Sequence, residues 1–502
     1  MKKRLFFLEL IILVLIPSVL LAFPTIYPVG TTIYKPDKSW NGFTVLSVLP
    51  HNDTYLIDMN GKEVHKWEGS TGMPAKVYPG GYLMASTGFW TKGHQDRKTL
   101  QLKDFYNNII WEFRNWEEVA ADPGEPLSSP GKMWIARQHH DYQIAGNPVG
   151  YYVPGMEPTP GRGNVLILAH TVYNHPEINK NLPIIDDVMY EVTQEGKIVW
   201  IWKAGDHFKE FGFDADAVAA MQGITEGDGF DWLHQNCASY LGPNKWYDQG
   251  DKRFQPDNII FDSRNANILC IISKKTGEIV WQCGPNYDQN PDKQLGWMIG
   301  IHHTHMIPKG LPGEGNILVY DNGGFAGYGK SNPMSSSGQN NVLRDYSRII
   351  EFNPITKEIV WEYSPTKTLN LFFMDNFRLY SPYISSAQRL PNGNTMICEG
   401  GMGRIFEVTA DGELVWEFVN PYVGVEGPPG AAPTHMSYRA YRLPYEWVPQ
   451  LNKPQEIPVV PPKYEEFRIP AGGSWDSVDA ARPWVASGKE KAAAVNTTEE
   501  EE

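Results

Sequence analysis

The sequence has few basic residues, and this shortage excludes one class of partner. Its 502 residues contain 44 Lys and Arg against 58 Asp and Glu, a formal net charge of −14. No basic stripe interleaved with aromatic residues is present either. Such a chain has no overall positive field to attract phosphates. Nucleic acid is therefore not expected as a partner.

Cysteine is also scarce, and its spacing excludes two motifs. The four cysteines form no CxxC pair, so neither a zinc ribbon nor a thioredoxin motif is supported. Cys270 and Cys283 fall on the two arms of a predicted hairpin that turns at Thr276 and Gly277. A two-residue turn sets the cysteines opposite each other and allows a disulfide. A one-residue bulge offsets them and leaves two half-buried thiols.

Apolar, aromatic and turn-forming residues are plentiful. The chain is 41% hydrophobic and 13% aromatic, with 47 Gly and 39 Pro, which is typical of a large, turn-rich globular fold. Residues 1–22 have the basic start and apolar run of a signal peptide or an uncleaved membrane anchor. A periplasmic or extracellular protein is expected, with a possible membrane tether through this segment and a lead-in at residues 23–40.

A strand-turn-strand pattern that ends in tryptophan recurs six times. The copies are Tyr55 to Trp67, Leu100 to Trp111, Met189 to Trp200, Leu269 to Trp281, Ile349 to Trp361 and Ile405 to Trp416. A further strand opened by glycine or proline precedes most copies, so a full unit holds about four strands, as a propeller blade does. The sequence predicts an all-β fold, a six-bladed β-propeller over residues 41–449.

The ends of the repeat array predict how the ring closes. The first copy has no innermost strand before it, and the segment 435–444 follows the last copy with no outer strands after it. The N-terminal strands 43–67 should therefore share a blade with the strand that contains His435. An open β-sandwich or two separate domains is the alternative. Residues 450–502 are expected to form a proline-rich strap and an acidic, disordered tail.

Histidines recur at matched positions of the predicted innermost strands. His140, His234 and His303 align in three blades, the next blade has Ser385, and the closing blade offers His435. The first residues of innermost strands face the propeller axis, so these side chains are expected to share a site. One inward histidine is commonly a core residue, whereas converging imidazoles can act as nucleophile, acid, base or metal ligand. Long insertions at 115–137, 206–230 and 323–344 should shape the mouth of the funnel.

With these features the chain resembles the bacterial arylsulfotransferases over residues 41–444. The most specific stretches are 231–236 with His234, 257–284 with Ser263 and Arg264, and His303-Thr304 leading to Asp321-Asn322-Gly323. The resemblance implies an exported six-bladed propeller that moves a sulfuryl group from an aromatic sulfate to a phenolic acceptor. No nucleotide donor, cofactor or metal is expected for that reaction.

The resemblance also implies roles for individual residues. His234 and His303 lie where the family has two active-site histidines, and His140 and His435 are further catalytic candidates. One histidine attacks sulfur and another serves as acid and base. The family arginine after the Asp-Asn-Gly turn is replaced by Gly324-Phe325-Ala326, so Arg264, Arg348 or a protonated histidine is expected to take its role. Candidate substrate contacts are Trp232, Asn236, His305, Arg264, Phe325 and Ser385, together with Trp297 and Tyr383.

Two other functions use the same histidines. A metal-dependent oxidoreductase would bind copper or zinc through three or four imidazoles. A non-catalytic propeller would bind a ligand or an envelope partner, because a fold does not determine a function.

The N-terminal segment makes the first prediction. We expect the mature protein to begin near Phe23 or to stay tethered to a membrane, with the propeller outside the cytoplasm. Cell fractionation followed by N-terminal mass spectrometry measures this. Full-length, soluble protein recovered from the cytoplasm would contradict it.

Overall fold

The computed structural model describes residues 29–49, 52–365, 367, 378–424 and 434–460. The predicted signal segment at 1–22 and most of the predicted tail lie outside these residues. Among the described residues, no helix has the length and apolar character needed to span a membrane.

The described residues are mostly strands. In chain order the strands are β1 Gly30–Tyr34, β2 Phe43–Val48, β3 Thr54–Ile57, β4 Glu63–Trp67, β5 Thr71–Tyr78, β6 Tyr82–Phe89, β7 Arg97–Lys103, β8 Ile109–Phe113, β9 Glu117–Ala120, β10 Lys132–Ile135, β11 Gln138–Ile144, β12 Val165–Tyr173, β13 Ile184–Val192, β14 Ile198–Lys203, β15 Phe230–Asp231, β16 Gln235–Tyr240, β17 Ile259–Ser263, β18 Ile268–Ile272, β19 Ile279–Cys283, β20 His302–Met306, β21 Ile317–Asp321, β22 Ala326–Tyr328, β23 Gln339–Val342, β24 Arg348–Phe352, β25 Ile359–Tyr363, β26 Ser386–Arg389, β27 Thr395–Glu399, β28 Arg404–Val408, β29 Leu414–Val419 and β30 Ser437–Leu443.

Helices are few and short. The α-helices are α1 Ala215–Gln222 and α2 Lys245–Asp248, and each begins after a side chain, Asp214 or Asn244, that caps its free N–H groups. The 3-10 helices of the described residues are Ala204–Phe211, Lys252–Phe254, Asp292–Leu295, Gly400–Met402 and Tyr445–Trp447.

The strands form blade-like sheets in a propeller-like arrangement, and among the described strands every pair is antiparallel except β13 with β15. Three sheets have the orders β16-β17-β18-β19, β20-β21-β24-β25 and β30-β2-β3-β4, and a fourth runs β26-β27-β28-β29 with β1 outside β29. A nine-stranded sheet contains the meanders β5-β8 and β11-β14, joined by the single pair Gln138–Arg97, with β15 along β13. All six predicted pairs of outer strands are present.

The two ends of the described chain meet in the sheets, as predicted. Strand β30 pairs with β2 from Phe43–Leu443 to Val48–Ser437, which confirms that one blade is divided between the N- and C-terminal parts. The lead-in also contains a strand that was not predicted, because β1 pairs with β29. Both ends are thereby held by main-chain hydrogen bonds.

The repeated tryptophans link each strand pair to the next. Each of the six indole Nε1–H groups donates to a main-chain carbonyl at 2.7–3.1 Å, and each carbonyl lies in the hairpin turn of the following pair. The bonds run from Trp67 to Asp104, Trp111 to Gln194, Trp200 to Lys274, Trp281 to Pro354, Trp361 to Ala410 and Trp416 to Met59. The last bond returns to the first pair, so the bonds form a closed cycle.

The innermost strands are distorted where they begin. His140, His234 and His303 have positive φ angles of 54°, 54° and 52°, and the next blade has Ile384 and Ser385 at 52° and 91°. The registers of β11, β16 and β20 shift beside these histidines. Such a bulge re-aims the side chains next to it. The shared backbone conformation confirms that the three histidines occupy matched positions.

A buried ionic cluster holds the inner strands together. The Lys76 ammonium contacts Asp141 at 2.7 Å, and the Arg439 guanidinium contacts the other oxygen of the same carboxylate at 3.0 Å. These residues belong to β5, β11 and β30. A buried charge of this kind is tolerated only with such partners, so these three of the innermost strands are tied at one point.

Of the two alternatives for Cys270 and Cys283, the structure shows two thiols and not a disulfide. The register shifts between Ile271 and Ile272, so that Cys270 pairs with Gln282 and Cys283 with Leu269. This is the one-residue bulge that offsets the two thiols. Both are buried and free, and the Cys283 Sγ accepts a hydrogen bond from Lys357 at 2.7 Å.

The cycle of indole bonds makes a prediction about stability. Trp416→Phe keeps a buried ring but removes the donor to Met59, and we expect the free energy of unfolding to fall by about 1 kcal/mol. The matched control is Trp134→Phe, because Trp134 on β10 is exposed. Urea unfolding of both variants measures the difference. Equal losses in the two variants would show that the bond contributes nothing.

Candidate functional site

A cavity of about 780 Å³ opens where the innermost strands begin. Two of the three long insertions reach it, one through Ile224, Glu226, Gly229 and Phe230 and the other through Gln339 and Asn340. The insertion at 115–137 contributes no lining residue. The polar lining includes four histidines, two arginines and two acids, namely His94, His140, His234, His302, Arg97, Arg264, Glu226 and Asp231.

Asp231 organises two of the cavity histidines. His234 Nδ1 lies 2.5 Å from Asp231 Oδ2, and His94 Nε2 lies 3.1 Å from the same oxygen. Burial alone would raise the pKa of Asp231, but the charges and hydrogen bonds of His234 and His94 outweigh burial and hold that pKa well below its usual value. The carboxylate is therefore ionised and accepts from His234 Nδ1–H. In the neutral form of His234 this hydrogen bond places the lone pair on Nε2, as in a catalytic His–Asp pair.

His94 and His140 have opposite acid–base character. The hydrogen bond to Asp231 raises the pKa of His94 above its usual value. Burial, followed by the neighbouring charges of His234 and His139, lowers the pKa of His140 well below its usual value. The His140 and His234 rings meet edge to face with centroids 4.7 Å apart. One cavity thus holds a histidine that favours the protonated form and one that favours the neutral form.

The cavity also has a cation and aromatic surfaces. Within the described ranges, Arg264 has no carboxylate partner, and its guanidinium donates only to Asn265 Oδ1 at 3.0 Å. Phe89, Phe230 and Tyr383 line the same space, and the Arg97 guanidinium lies 5.4 Å from the Phe89 ring centroid. An anion attached to an aromatic ring matches this lining in charge and polarity.

Of the predicted site residues, His140, His234 and Arg264 line the cavity, whereas three predicted histidines do not. His303 is buried with Nδ1 2.9 Å from the Ala387 carbonyl and Nε2 3.2 Å from the Tyr441 hydroxyl. His305 contacts the Tyr151 hydroxyl at 2.9 Å. His435 lies before β30, with Nδ1 3.1 Å from the Asn420 carbonyl. These placements correct the expectation that His234 and His303 share one cavity.

The remaining predicted contacts are structural or distant. Trp232 is fully buried and donates to Asp186 at 2.9 Å, and Asn236 donates to the Ile301 carbonyl. The Ser385 hydroxyl is bonded to Ser381 and accepts from the Gly400 N–H. Phe325 is exposed outside the cavity.

Two further candidates named from the sequence are engaged elsewhere. Arg348 pairs with Asp321 at 2.7 Å, and Trp297 donates to Asp288 at 2.8 Å. Of the two aromatic candidates Trp297 and Tyr383, only Tyr383 is among the described residues that line the cavity.

Sequence reasoning missed His94, Asp231 and His302. His94 lies in the loop after β6, outside the repeat on which the histidine alignment rested. Asp231 lies in the stretch 231–236 on which the family resemblance rests. Its position three residues before His234 was the feature of the sequence that could have predicted the contact between the two side chains. His302 precedes the aligned His303. Its Nδ1 lies 2.8 Å from Asn322 Oδ1, and its Nε2 accepts from the Ile384 N–H.

Among the residues that the structure describes, two groups have the residue types that hold metals. His94, Asp231 and His234 form one at the cavity, and His139, His170 and Asp187 form another that is fully buried. In the cavity group, the facing nitrogens His94 Nε2 and His234 Nδ1 already contact Asp231 Oδ2.

A family model supports the resemblance. The model described as arylsulfotransferase (ASST) matches residues 158–417, more than half of the chain. No curated protein matches the sequence.

Solved structures share only a low similarity with the chain. A protein of unknown function from Bacteroides caccae is 11% identical, with a TM-score of 0.39 over 80% of this chain and 99% of its own. The β-propeller domain of Cps50 (Swd1) from Myceliophteria thermophila is 10% identical, with a TM-score of 0.36 over 83% and 91%. Virginiamycin B lyase from Staphylococcus aureus is 12% identical, with a TM-score of 0.31 over 79% and 86%. None of them bears on the site.

The hydrogen bonds of Asp231 make a prediction about His94. Asp231→Asn removes the negative charge that favours the imidazolium, so the pKa of His94 should fall. Histidine NMR titration measures it, with Asp228→Asn as the control because Asp228 in the same region is exposed. An unchanged pKa of His94 in Asp231→Asn would contradict the arrangement described above.

Proposed function

The chain belongs to the arylsulfotransferase family, and from this we propose that it transfers a sulfuryl group from an aryl sulfate to a phenolic acceptor through a sulfated His234. The observation that carries the proposal is the Asp231–His234 pair, which leaves a histidine lone pair in a cavity that also contains Arg264 and aromatic rings.

We infer that the scaffold is a six-bladed propeller. The cycle of six indole bonds supports this count, since each bond passes from one outer strand pair to the next. In this interpretation the nine-stranded sheet contains two blades, which meet at the single pair between β7 and β11. Following the family, we propose that the protein works in the periplasm or outside the cell.

The first half of the reaction begins at His234. Its Nε2 lone pair attacks the sulfur of the aryl sulfate, the N–S bond forms and the S–O bond to the aryl group breaks. The departing aryloxide takes a proton from His94, whose raised pKa favours the imidazolium. The products of this half are a free phenol, neutral His94 and sulfated His234.

In the second half, His94 serves as the base. The neutral His94 left by the first half removes the proton of the acceptor phenol while the phenol oxygen attacks the same sulfur, and the N–S bond breaks. His94 thereby returns to the imidazolium that its raised pKa favours, which restores the resting state. His140, whose pKa is lowered, stays neutral beside His234.

Arg264 is proposed to stabilise the transition state. Negative charge develops on the sulfuryl oxygens as sulfur passes between nitrogen and oxygen, and a guanidinium can donate to two of them at once. Its lack of a carboxylate partner among the described residues supports this role. Phe89, Phe230 and Tyr383 would hold the aryl groups of donor and acceptor.

The nucleophile assignment is tested with paired histidine variants. His234→Gln should lower kcat for a chromogenic aryl sulfate by at least about 10³-fold, because the attacking atom is lost. Mass spectrometry of the wild-type protein after an acid quench should find the sulfuryl adduct on the His234 peptide. His65→Gln is the control, since His65 lies on β4 against Phe105, outside the cavity.

A second comparison separates the two histidines that the family resemblance singled out. His303→Gln should retain the sulfuryl adduct on His234, because His303 does not line the cavity. Activity that survives in His234→Gln but disappears in a folded His303→Gln variant would overturn the assignment.

A further inference from the structure

Three neighbouring strands bring His139, His170 and Asp187 together beneath the cavity. His170 on β12 and Asp187 on β13 are directly opposite each other in the strand register, so their side chains project from the same face. His139 lies in the bulge at the start of β11, which pairs with β12. The exposed fraction of each of the three side chains is 1% or less.

The facing atoms of this group are buried without a hydrogen bond to any part of the chain that the structure describes. His139 Nε2, His170 Nε2 and Asp187 Oδ1 are buried and lack a hydrogen-bond partner within the described ranges. Asp187 Oδ1 lies 3.3 Å from His139 Nε2 and 3.8 Å from His170 Nε2. Ligand atoms about 2.1 Å from a tetrahedral ion are separated by about 3.4 Å. Buried polar atoms normally form hydrogen bonds. Three such atoms that face one another without a hydrogen bond therefore indicate a bound ligand that would satisfy them.

The outward-facing atoms of the same side chains are held in place. His170 Nδ1 lies 2.5 Å from Asp96 Oδ1, and Asp96 is fixed by Arg137 at 2.8 Å. Asp187 Oδ2 accepts from the Gln235 N–H at 3.1 Å. His139 Nδ1 lies 2.8 Å from His140 Nδ1. A carboxylate behind a histidine is the usual outer partner of a metal ligand, because it orients the ring and leaves Nε2 for the ion.

We propose that His139, His170 and Asp187 bind one divalent first-row transition-metal ion. Two imidazole nitrogens and one carboxylate oxygen suit zinc or iron(II). The two rings stack with centroids 3.6 Å apart, so binding requires each ring to tilt about its held Nδ1 atom until both Nε2 atoms point at the ion. The site is separate from the cavity group around Asp231 and does not rest on the sulfotransferase proposal.

The experiment measures metal in the purified full-length protein. Elemental mass spectrometry should find about one ion per chain, and reconstitution with Co²⁺ should give the visible absorption of a nitrogen- and oxygen-bound ion. His170→Gln and Asp187→Ala should each abolish binding. Asp96→Asn removes only the outer partner of His170 and should weaken the affinity by about tenfold or more.

The controls are variants of the cavity group. His94→Gln and Asp231→Asn should both keep the metal ion. Loss of the metal ion in these two variants, together with its retention in His170→Gln, would overturn the assignment. Wild-type protein that binds no Zn²⁺, Fe²⁺ or Co²⁺ would also overturn it and would leave the three atoms to a water molecule. Where His170→Gln or Asp187→Ala does not fold, Asp96→Asn and Asp231→Asn decide the question: weaker metal binding in Asp96→Asn with unchanged binding in Asp231→Asn supports the proposal, and any other result refutes it.

Discussion

The indole hydrogen bonds are the constraint on which the rest of this structure depends. Each one satisfies a carbonyl in a hairpin turn, a group that the strand ladders leave free, and each joins two successive outer strand pairs. A buried indole needs such an acceptor, because its N–H is costly to bury unpaired. With the pairing of β2 with β30 and of β1 with β29, the bonds hold the first and last units of the described chain together. The inner strands, and the residues at their starts, take their positions from this outer framework.

The histidine positions show how the framework serves the site. A positive φ is unfavourable for histidine and persists only where surrounding structure enforces it. Here it recurs at His140, His234 and His303, beside a bulge each time. The same backbone conformation nevertheless places the three side chains in different surroundings. His140 and His234 line the cavity, whereas His303 packs against Tyr441. Local backbone geometry therefore repeats from blade to blade, whereas the chemistry does not.

Carboxylates organise the histidines around the cavity. Asp231 contacts His94 and His234, Asp96 contacts His170, and Asp187 lies beside His139. Asp231 and Asp96 distinguish the two nitrogens of the rings that they contact, because a carboxylate can only accept a hydrogen bond. Asp231 thereby supports catalysis in the proposed reaction, and Asp96 supports the proposed metal site. Pairs of a carboxylate and a histidine are thus found both in the open cavity around Asp231 and in the closed, buried group of His139, His170 and Asp187.

The sequence by itself determined the all-β class, the six strand pairs, the division of one blade between the two ends, and the matched positions of His140, His234 and His303. These follow from periodic patterns and turn residues, which act over a few residues. It also identified Arg264, through the motif that carried the family resemblance. Only the tertiary structure decided which of these residues share a cavity. His94 reaches it from a loop outside the repeat, and His303, Trp232 and Ser385 are engaged in the core. The physical reason is that a bulge turns neighbouring side chains in opposite directions, and hydrogen bonds from distant strands select which of them remain free.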